Sequence, residues 1–268
     1  MRLLSAVERQ NERRGVKALI AGVPGVGKTS LLKGLASEAL STTLLVDAEA
    51  GDLAVAGLPI ASVRPRSWPE IRDIAAAVGG ANPARPANVA YSQAHFDAVV
   101  GNPAMAELTR YSVVFIDSLT EISRICRAWA ELQPESVSDR GKKDLRGTYG
   151  LVGRELIGML QQMQHVRAKT VVFVGVLERV TDDFGASHWG IQLEGQRTGR
   201  ELPAIVDEVI TMHFVDFGDG KPPTRAFVCT SPNPWGYPAK DRSGKLDQLE
   251  PPDLGKLLAK LTSSPSAT

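Results

Sequence analysis

Apolar positions arrive along this chain in short, nearly unbroken runs, separated by longer segments that carry a helical spacing. Val16 to Ala21 is one run, Thr43 to Val46 a second, Val113 to Ile116 a third and Thr170 to Leu177 a fourth. A strand that is apolar at every position has no wet face, which suits a parallel sheet covered on both sides. Between the runs, Thr29 to Leu40 places Leu31, Leu32, Leu35 and Ala39 at helical spacing, and Trp68 to Val78 reads as a helix opened by Ser67 and Pro69. Ser118 to Leu132 opens on Ser118-x-x-Glu121, a capping box, and Arg146 to Arg167 is a long amphipathic helix. Strands alternating with helices predict an α/β fold, a mostly parallel twisted sheet flanked by helices.

The rhythm changes near residue 205. Asp207 to Val215 and Arg225 to Thr230, joined by the turn-rich segment 218–223, predict a C-terminal β-hairpin. Gly79 to Asn88 and Gln133 to Gly141 lack periodicity and read as surface loops. The expected organisation is a short N-terminal arm at 1–14, one domain at 15–262 and a small polar, disordered tail at 263–268, with no internal repeat. A chain of 268 residues with 43% hydrophobic and 23% charged positions can build a sizeable core. No apolar run reaches the length of a membrane span and the first residues lack the apolar stretch of a signal peptide, so a cytoplasmic protein is expected. Cys126 and Cys229 form no Cys-x-x-Cys pair and read as buried, reduced thiols. A formal net charge of +1 supplies no broad cationic field, so contact with nucleic acid would need locally clustered Arg and Lys.

The chemistry concentrates in Gly22-Val23-Pro24-Gly25-Val26-Gly27-Lys28-Thr29-Ser30, which has the spacing of a P-loop and lies between a predicted strand and a predicted helix. Glycines let consecutive N–H groups turn inward around phosphates, Lys28 reaches the terminal phosphates and the Thr29 hydroxyl suits magnesium. A dinucleotide fingerprint beginning at Gly25-x-Gly27 would need a third glycine where Ser30 stands. Asp117 ends the third apolar run, where a carboxylate can hold magnesium beside a P-loop; Ser118 and Glu121 already account for the helix start. With Ser118 directly after that aspartate, the base must come from elsewhere, and Glu49 in Asp47-Ala48-Glu49, at the end of the second run, is the candidate. A solvated loop acid is the competing reading of Glu49.

Taken in order, the glycine loop, Leu-Leu-Val-Asp47-Ala-Glu49, Val-Phe-Ile-Asp117-Ser, the long helix and the fourth apolar run resemble the RecA recombinase core. Over residues 15 to 260 the chain looks more closely like the small phage-encoded RecA-like ATPases of the Sak single-strand annealing group. That resemblance implies a RecA-like P-loop ATPase using ATP and Mg2+, with Glu49 as catalytic base, acting on single-stranded DNA, self-associating as a ring or filament and working beside a single-strand binding protein in the host cytoplasm. Lys240-Asp-Arg242-Ser-Gly244 is similar to the Lys-x-Arg-x-Gly element of RadA, DnaB and KaiC-type folds, which implies that Lys240 and Arg242 reach a neighbour's site as an arginine finger. A solvated turn with a basic pair accounts for the same residues. Two segments correspond in order to the family's DNA-contacting loops: Arg140, Lys142, Lys143 and Arg146, then Arg179, Phe184, His188, Trp189, Arg197 and Arg200. Cations interleaved with aromatics suit a sequence-tolerant single-strand binder. A solvated charge run explains the first segment and subunit packing the second.

The chain also departs from the family. Glu178 stands where RecA carries a glutamine linking phosphate to the DNA loop, no zinc motif is present, and the first fifteen residues are too short for RecA's N-terminal domain. ATP-linked binding or annealing is therefore expected over strand exchange. Three alternatives stay open: a ring helicase or translocase, a DNA-binding module whose nucleotide only sets the oligomer, and a KaiC-like switch without DNA.

Overall fold

The computed structural model describes residues 3–12, 14–138, 140–181, 185–217, 220 and 222–263. After helix α1 (Ala6–Asn11) the chain enters β1 (Lys17–Gly22), passes the glycine loop and a 3-10 helix at Thr29–Gly34, and continues through α2 (Ser37–Ser41), β2 (Thr43–Asp47) and β3 (Ala61–Val63). Next come α3 (Trp68–Gly79), α4 (Gln93–Val100), α5 (Pro103–Ala106), β4 (Val113–Asp117), α6 (Leu119–Ala130) and α7 (Leu145–Gln164). The remainder is β5 (Thr170–Thr181), β6 (Ser187–Ile191), α8 (Gln196–Ile205), β7 (Glu208–Val215), β8 (Thr224–Val228), β9 (Lys240–Asp241), β10 (Leu249–Glu250) and α9 (Leu254–Thr262).

The sheet order is β10-β8-β7-β1-β5-β4-β2-β3, with β6 on β5 and β9 on β7. Strands β7, β1, β5, β4, β2 and β3 run parallel, and β8 and β10 add antiparallel edges. This is the mostly parallel sheet with a C-terminal hairpin that the apolar runs predict. Alternation along the strands divides the core between two faces. Leu19, Leu44, Val46, Val114, Ile116, Val171 and Phe173 face α3, α6 and α7, while Ile20, Leu45, Phe115, Val172 and Val174 face the 3-10 helix and α9. Trp68 is fully buried on the first face and donates its Nε1–H to Glu155 at 2.6 Å. Cys126 and Cys229 are buried free thiols.

Several boundaries differ from the sequence reading. The expected continuous helix over Thr29 to Leu40 is instead a six-residue 3-10 helix and a five-residue α-helix, with Leu35 and Ala36 extended between them. Packing explains the break: a Cβ on Gly255, at the start of α9, would stand 2.3 Å from the Gly34 carbonyl, so α9 occupies the space beside Gly34 where a longer helix would run. Gly34 itself favours helix poorly. Ser118 accepts from the Glu121 N–H at 3.2 Å, but the Glu121 carboxylate pairs with Arg124 rather than closing the expected box. The fourth run extends beyond Leu177 to Thr181 and folds back with β6 as a hairpin, where a loop was expected. Residues 264–268 of the expected tail lie outside the described residues.

Gly255→Ala should lower stability by about 1–3 kcal/mol, since the new methyl meets backbone that cannot rotate away. Thermal denaturation followed by circular dichroism measures it.

Candidate functional site

Register brings the sequence-predicted residues to one edge of the sheet. Gly22 pairs with Val176, Ile116 with Phe173 and Asp47 with Asp117, so the ends of β1, β4 and β2 align at the carboxyl edge. The glycine loop leaves that edge with Gly25 at φ +76° and Gly27 at φ +101°, conformations that a side chain disfavours. A Cβ on Gly22 would sit 2.8 Å from the Met212 carbonyl, and one on Gly25 would meet nothing within 4 Å. The loop is therefore pinned on the strand side and open on the other.

Across it, the Thr29 hydroxyl donates to Asp117 Oδ2 at 2.5 Å. Lys28 Nζ donates to Gly22 O at 2.9 Å and Val23 O at 3.1 Å, folding back on its own loop. Ser118 Oγ donates to Glu49 Oε1, tying the candidate base to the residue that follows the candidate metal acid. Ala48 N–H donates to Asp117 O at 2.7 Å, which sets the height of that turn, and the next residue but one, Ala50, has φ +53°. A left-handed alanine costs about 1 kcal/mol or more.

The electrostatics follow from burial. Asp117 is 4% exposed, and desolvation pushes its carboxyl up to about 6; the Thr29 bond and the Lys28 charge pull it down, while Glu49 and Asp47 push it further up. Desolvation lowers the Lys28 ammonium, partly offset by Asp117 and Glu49. Asp47, 3% exposed, spends Oδ1 on the Gly51 N–H at 3.0 Å, and its Oδ2 has no hydrogen-bond partner among the described residues; Arg64 Nε stands 3.7 Å away. Buried acids gathered around one ammonium and one hydroxyl are short of positive charge. A divalent cation with a polyphosphate fits that shortage: Thr29 and Asp117 would hold the metal, and Lys28 with the loop N–H groups would hold the phosphates.

Lys240 and Arg242 do not join this cluster. Lys240 in β9 pairs with Val209, and the neighbouring Glu208 pairs with Ala18, which places them at the amino edge, across the sheet from the glycine loop. Lys240 Nζ donates to Pro203 O at 2.6 Å and Val206 O at 2.8 Å; Arg242 donates to Ala204 O and to Asp207 Oδ1, both at 3.1 Å. The two cations close the carboxyl end of α8 within this chain, as cations at a helix C-terminus do. Asp207 also holds Arg14 at 2.7 Å, and Glu208, buried beside Asp241, is pushed up to about 7 by burial and that neighbouring acid.

The two candidate DNA segments differ. Arg140, Lys142 and Arg146 are exposed, and Lys143 pairs with Glu131 at 3.5 Å. In the second, Arg179 lies 4.6 Å over the Trp189 ring, which packs 5.4 Å from Tyr237, so the tryptophan is engaged with its own chain. His188 and Arg200 are exposed, Glu178 is half-buried, and Phe184 and the Arg197 side chain lie outside the described residues. Sequence reasoning passed over Ser118 as more than a cap, Asp47 as a buried acid, and Arg225, whose guanidinium reaches the glycine loop. Asp47 was legible as the acid ending an apolar run; Arg225 carried no local signal.

A family model described as an AAA domain matches residues 14–243. No curated protein matches the chain. Among solved structures, the RadB recombinase aligns at 15% identity with a TM-score of 0.40, covering 84% of this chain and 86% of that one. A KaiC-like protein from Pyrococcus horikoshii aligns at 16% identity with a TM-score of 0.37, covering 80% of this chain and 78% of that one.

Glu208 yields a pH prediction. Its native value near 7 lies above the ordinary 4.5, so the stability it contributes is full below about 4.5 and is lost as pH rises through 7. Glu208→Gln, which mimics the protonated acid, should melt about 3–6 °C above the parent at pH 8 and together with it at pH 4.5, in thermal denaturation at both pH values.

Proposed function

The chain belongs to the AAA domain family, and from that premise we propose that it is an ATPase of the RecA-like, phage Sak type, acting on single-stranded DNA in annealing or a related recombination or replication step. The observation that carries the nucleotide part is the convergence of Lys28, Thr29, Asp117 and the Ser118-held Glu49 at one sheet edge. Bound magnesium would neutralise charge on the phosphates during transfer.

The chain's own groups would divide the remaining work. The loop N–H groups and Lys28 orient the phosphates, and Lys28 exchanges two neutral carbonyls for an anion, a stronger partner for an ammonium. Glu49, exposed yet restrained by Ser118, would orient a water and take its proton. Asp117, oriented by the Thr29 hydroxyl, would carry the metal.

The DNA part rests on the exposed cations Arg140, Lys142, Arg146 and Arg200 and on the resemblance of their positions to the family's loops. A KaiC-like switch without DNA is the second reading, favoured by the packing of Trp189 against Tyr237 with Arg179 lying over its ring. For Lys240 and Arg242 to serve a neighbouring copy, they would have to leave the carbonyls and the Asp207 carboxylate that they now satisfy.

Phosphate release from ATP, measured with and without a long single-stranded oligonucleotide over a range of protein concentration, tests these assignments. Lys28→Ala and Glu49→Gln should each lower turnover on the order of 100-fold or more. DNA stimulation that grows with protein concentration supports the DNA reading; turnover indifferent to DNA sinks it. Arg242→Ala should lower the melting temperature if its bonds to α8 are its main role, and should abolish the concentration-dependent turnover without that loss if it acts on a neighbour.

A further inference from the structure

Arg225 lies 199 residues from Val26 in sequence and against it in space. It occupies β8, where it pairs directly with Phe214 of β7, and the next pair on the same face is Met212 with Phe227. Met212 and Phe227 are buried in the cluster that contains Val26 and Leu31, so Arg225 projects from the face on which the glycine loop and its 3-10 helix sit. Its guanidinium has reached that loop: Nη1 donates to Val26 O at 3.3 Å, and a Cβ on Gly27 would stand only 2.5 Å from Nη1.

The arginine is exposed, and among the described residues it bonds a neutral carbonyl at long range and pairs with no carboxylate. A guanidinium carries five N–H donors in a planar fork that matches phosphate oxygens. Here the fork is held at the glycine loop by a strand whose register is set by five pairs with β7, so it needs no neighbour to arrive. It stands on the β7–β8 side of the loop, while Asp117, Ser118 and Glu49 lie on the β4–β2 side. Positive charge would then flank a bound anion from both sides, Lys28 within the loop and Arg225 across it.

We propose that Arg225 is a phosphate-binding residue of this chain's own nucleotide site, a cation supplied in cis that contacts the polyphosphate of a nucleoside di- or triphosphate at Gly27. The proposal rests on the nucleotide-binding reading above.

Titration of the full chain with a fluorescent ATP analogue, and competition by ADP, tests it. Arg225→Ala should weaken both nucleotides on the order of 10- to 100-fold with an unchanged melting temperature, and Arg225→Lys should fall between that variant and the parent. Lys28→Ala calibrates the full loss. If the parent binds and Arg225→Ala binds equally well, the proposal is overturned while the nucleotide reading stands; if the folded parent binds neither nucleotide, both are overturned. A mixture of Lys28→Ala and Arg225→Ala chains that regains parental affinity at one site per pair would show that the arginine acts between copies and overturn its assignment in cis.

Discussion

The parallel pairing of β2, β4, β5 and β1 is the constraint on which the rest of the molecule depends. These strands are apolar on both faces, so each must be covered twice, and the helices that cover them can return only by crossovers that keep every strand pointing the same way. One edge of the sheet therefore collects every strand's carboxyl end. Gly22, Asp117 and Asp47 meet there because their strands end in register, not because they are near in sequence. A one-residue slip between β2 and β4 would turn each strand's residues to opposite faces and take Asp47 from its place beside Asp117.

That edge is held in an electrostatically unfinished condition. Asp117, Asp47 and Glu49 face the Lys28 ammonium and, 3.7 Å from Asp47, the Arg64 guanidinium, and the cluster offsets part of the imbalance internally: Thr29 donates to Asp117, Ser118 to Glu49, and Gly51 to Asp47. Among the described residues Asp47 Oδ2 accepts no hydrogen bond and has only the Arg64 guanidinium at 3.7 Å, and burial, with Glu49 and Asp47 adding to it, displaces Asp117 upward. Lys28 is folded onto two backbone carbonyls, neutral acceptors that release an ammonium more readily than a carboxylate would.

The opposite edge is organised by different pairs. Asp207 gathers Arg14, Arg242 and the Lys17 N–H, and Lys240 closes the end of α8. Lys17, buried, donates its ammonium to the carbonyls of Gly15, Val166 and Lys169 and is lowered to about 8 by burial. The cations of the amino edge are thus engaged with acids and carbonyls of the same chain. The cations of the amino edge bond acids and carbonyls there, whereas Lys28 and Arg225 stand at the glycine loop with, among the described residues, no carboxylate bonded to them.

Much of this was legible along the chain. Unbroken apolar runs stood out as covered strands at β1, β2, β4 and β5, the Gly-x-x-x-x-Gly-Lys-Thr spacing marked the loop, and acids ending two runs marked Asp117 and the Asp47–Glu49 triplet, because burial on both faces and phosphate-cradling geometry leave local, periodic traces. The break after Gly34, the capture of Trp189 by Arg179 and Tyr237, the retention of Lys240 and Arg242 by α8, and the approach of Arg225 to Gly27 left no such trace. Each depends on which surfaces meet once distant segments pack, and a lone cation or aromatic reads alike whether it ends in solvent, on a helix terminus or against a phosphate loop. The sequence by itself determined the central strands, the loop and the acids at the sheet's edge; only the tertiary structure decided the edge strands and which cations lie beside that loop, since a partner's identity is a property of distance in space and not of spacing in the chain.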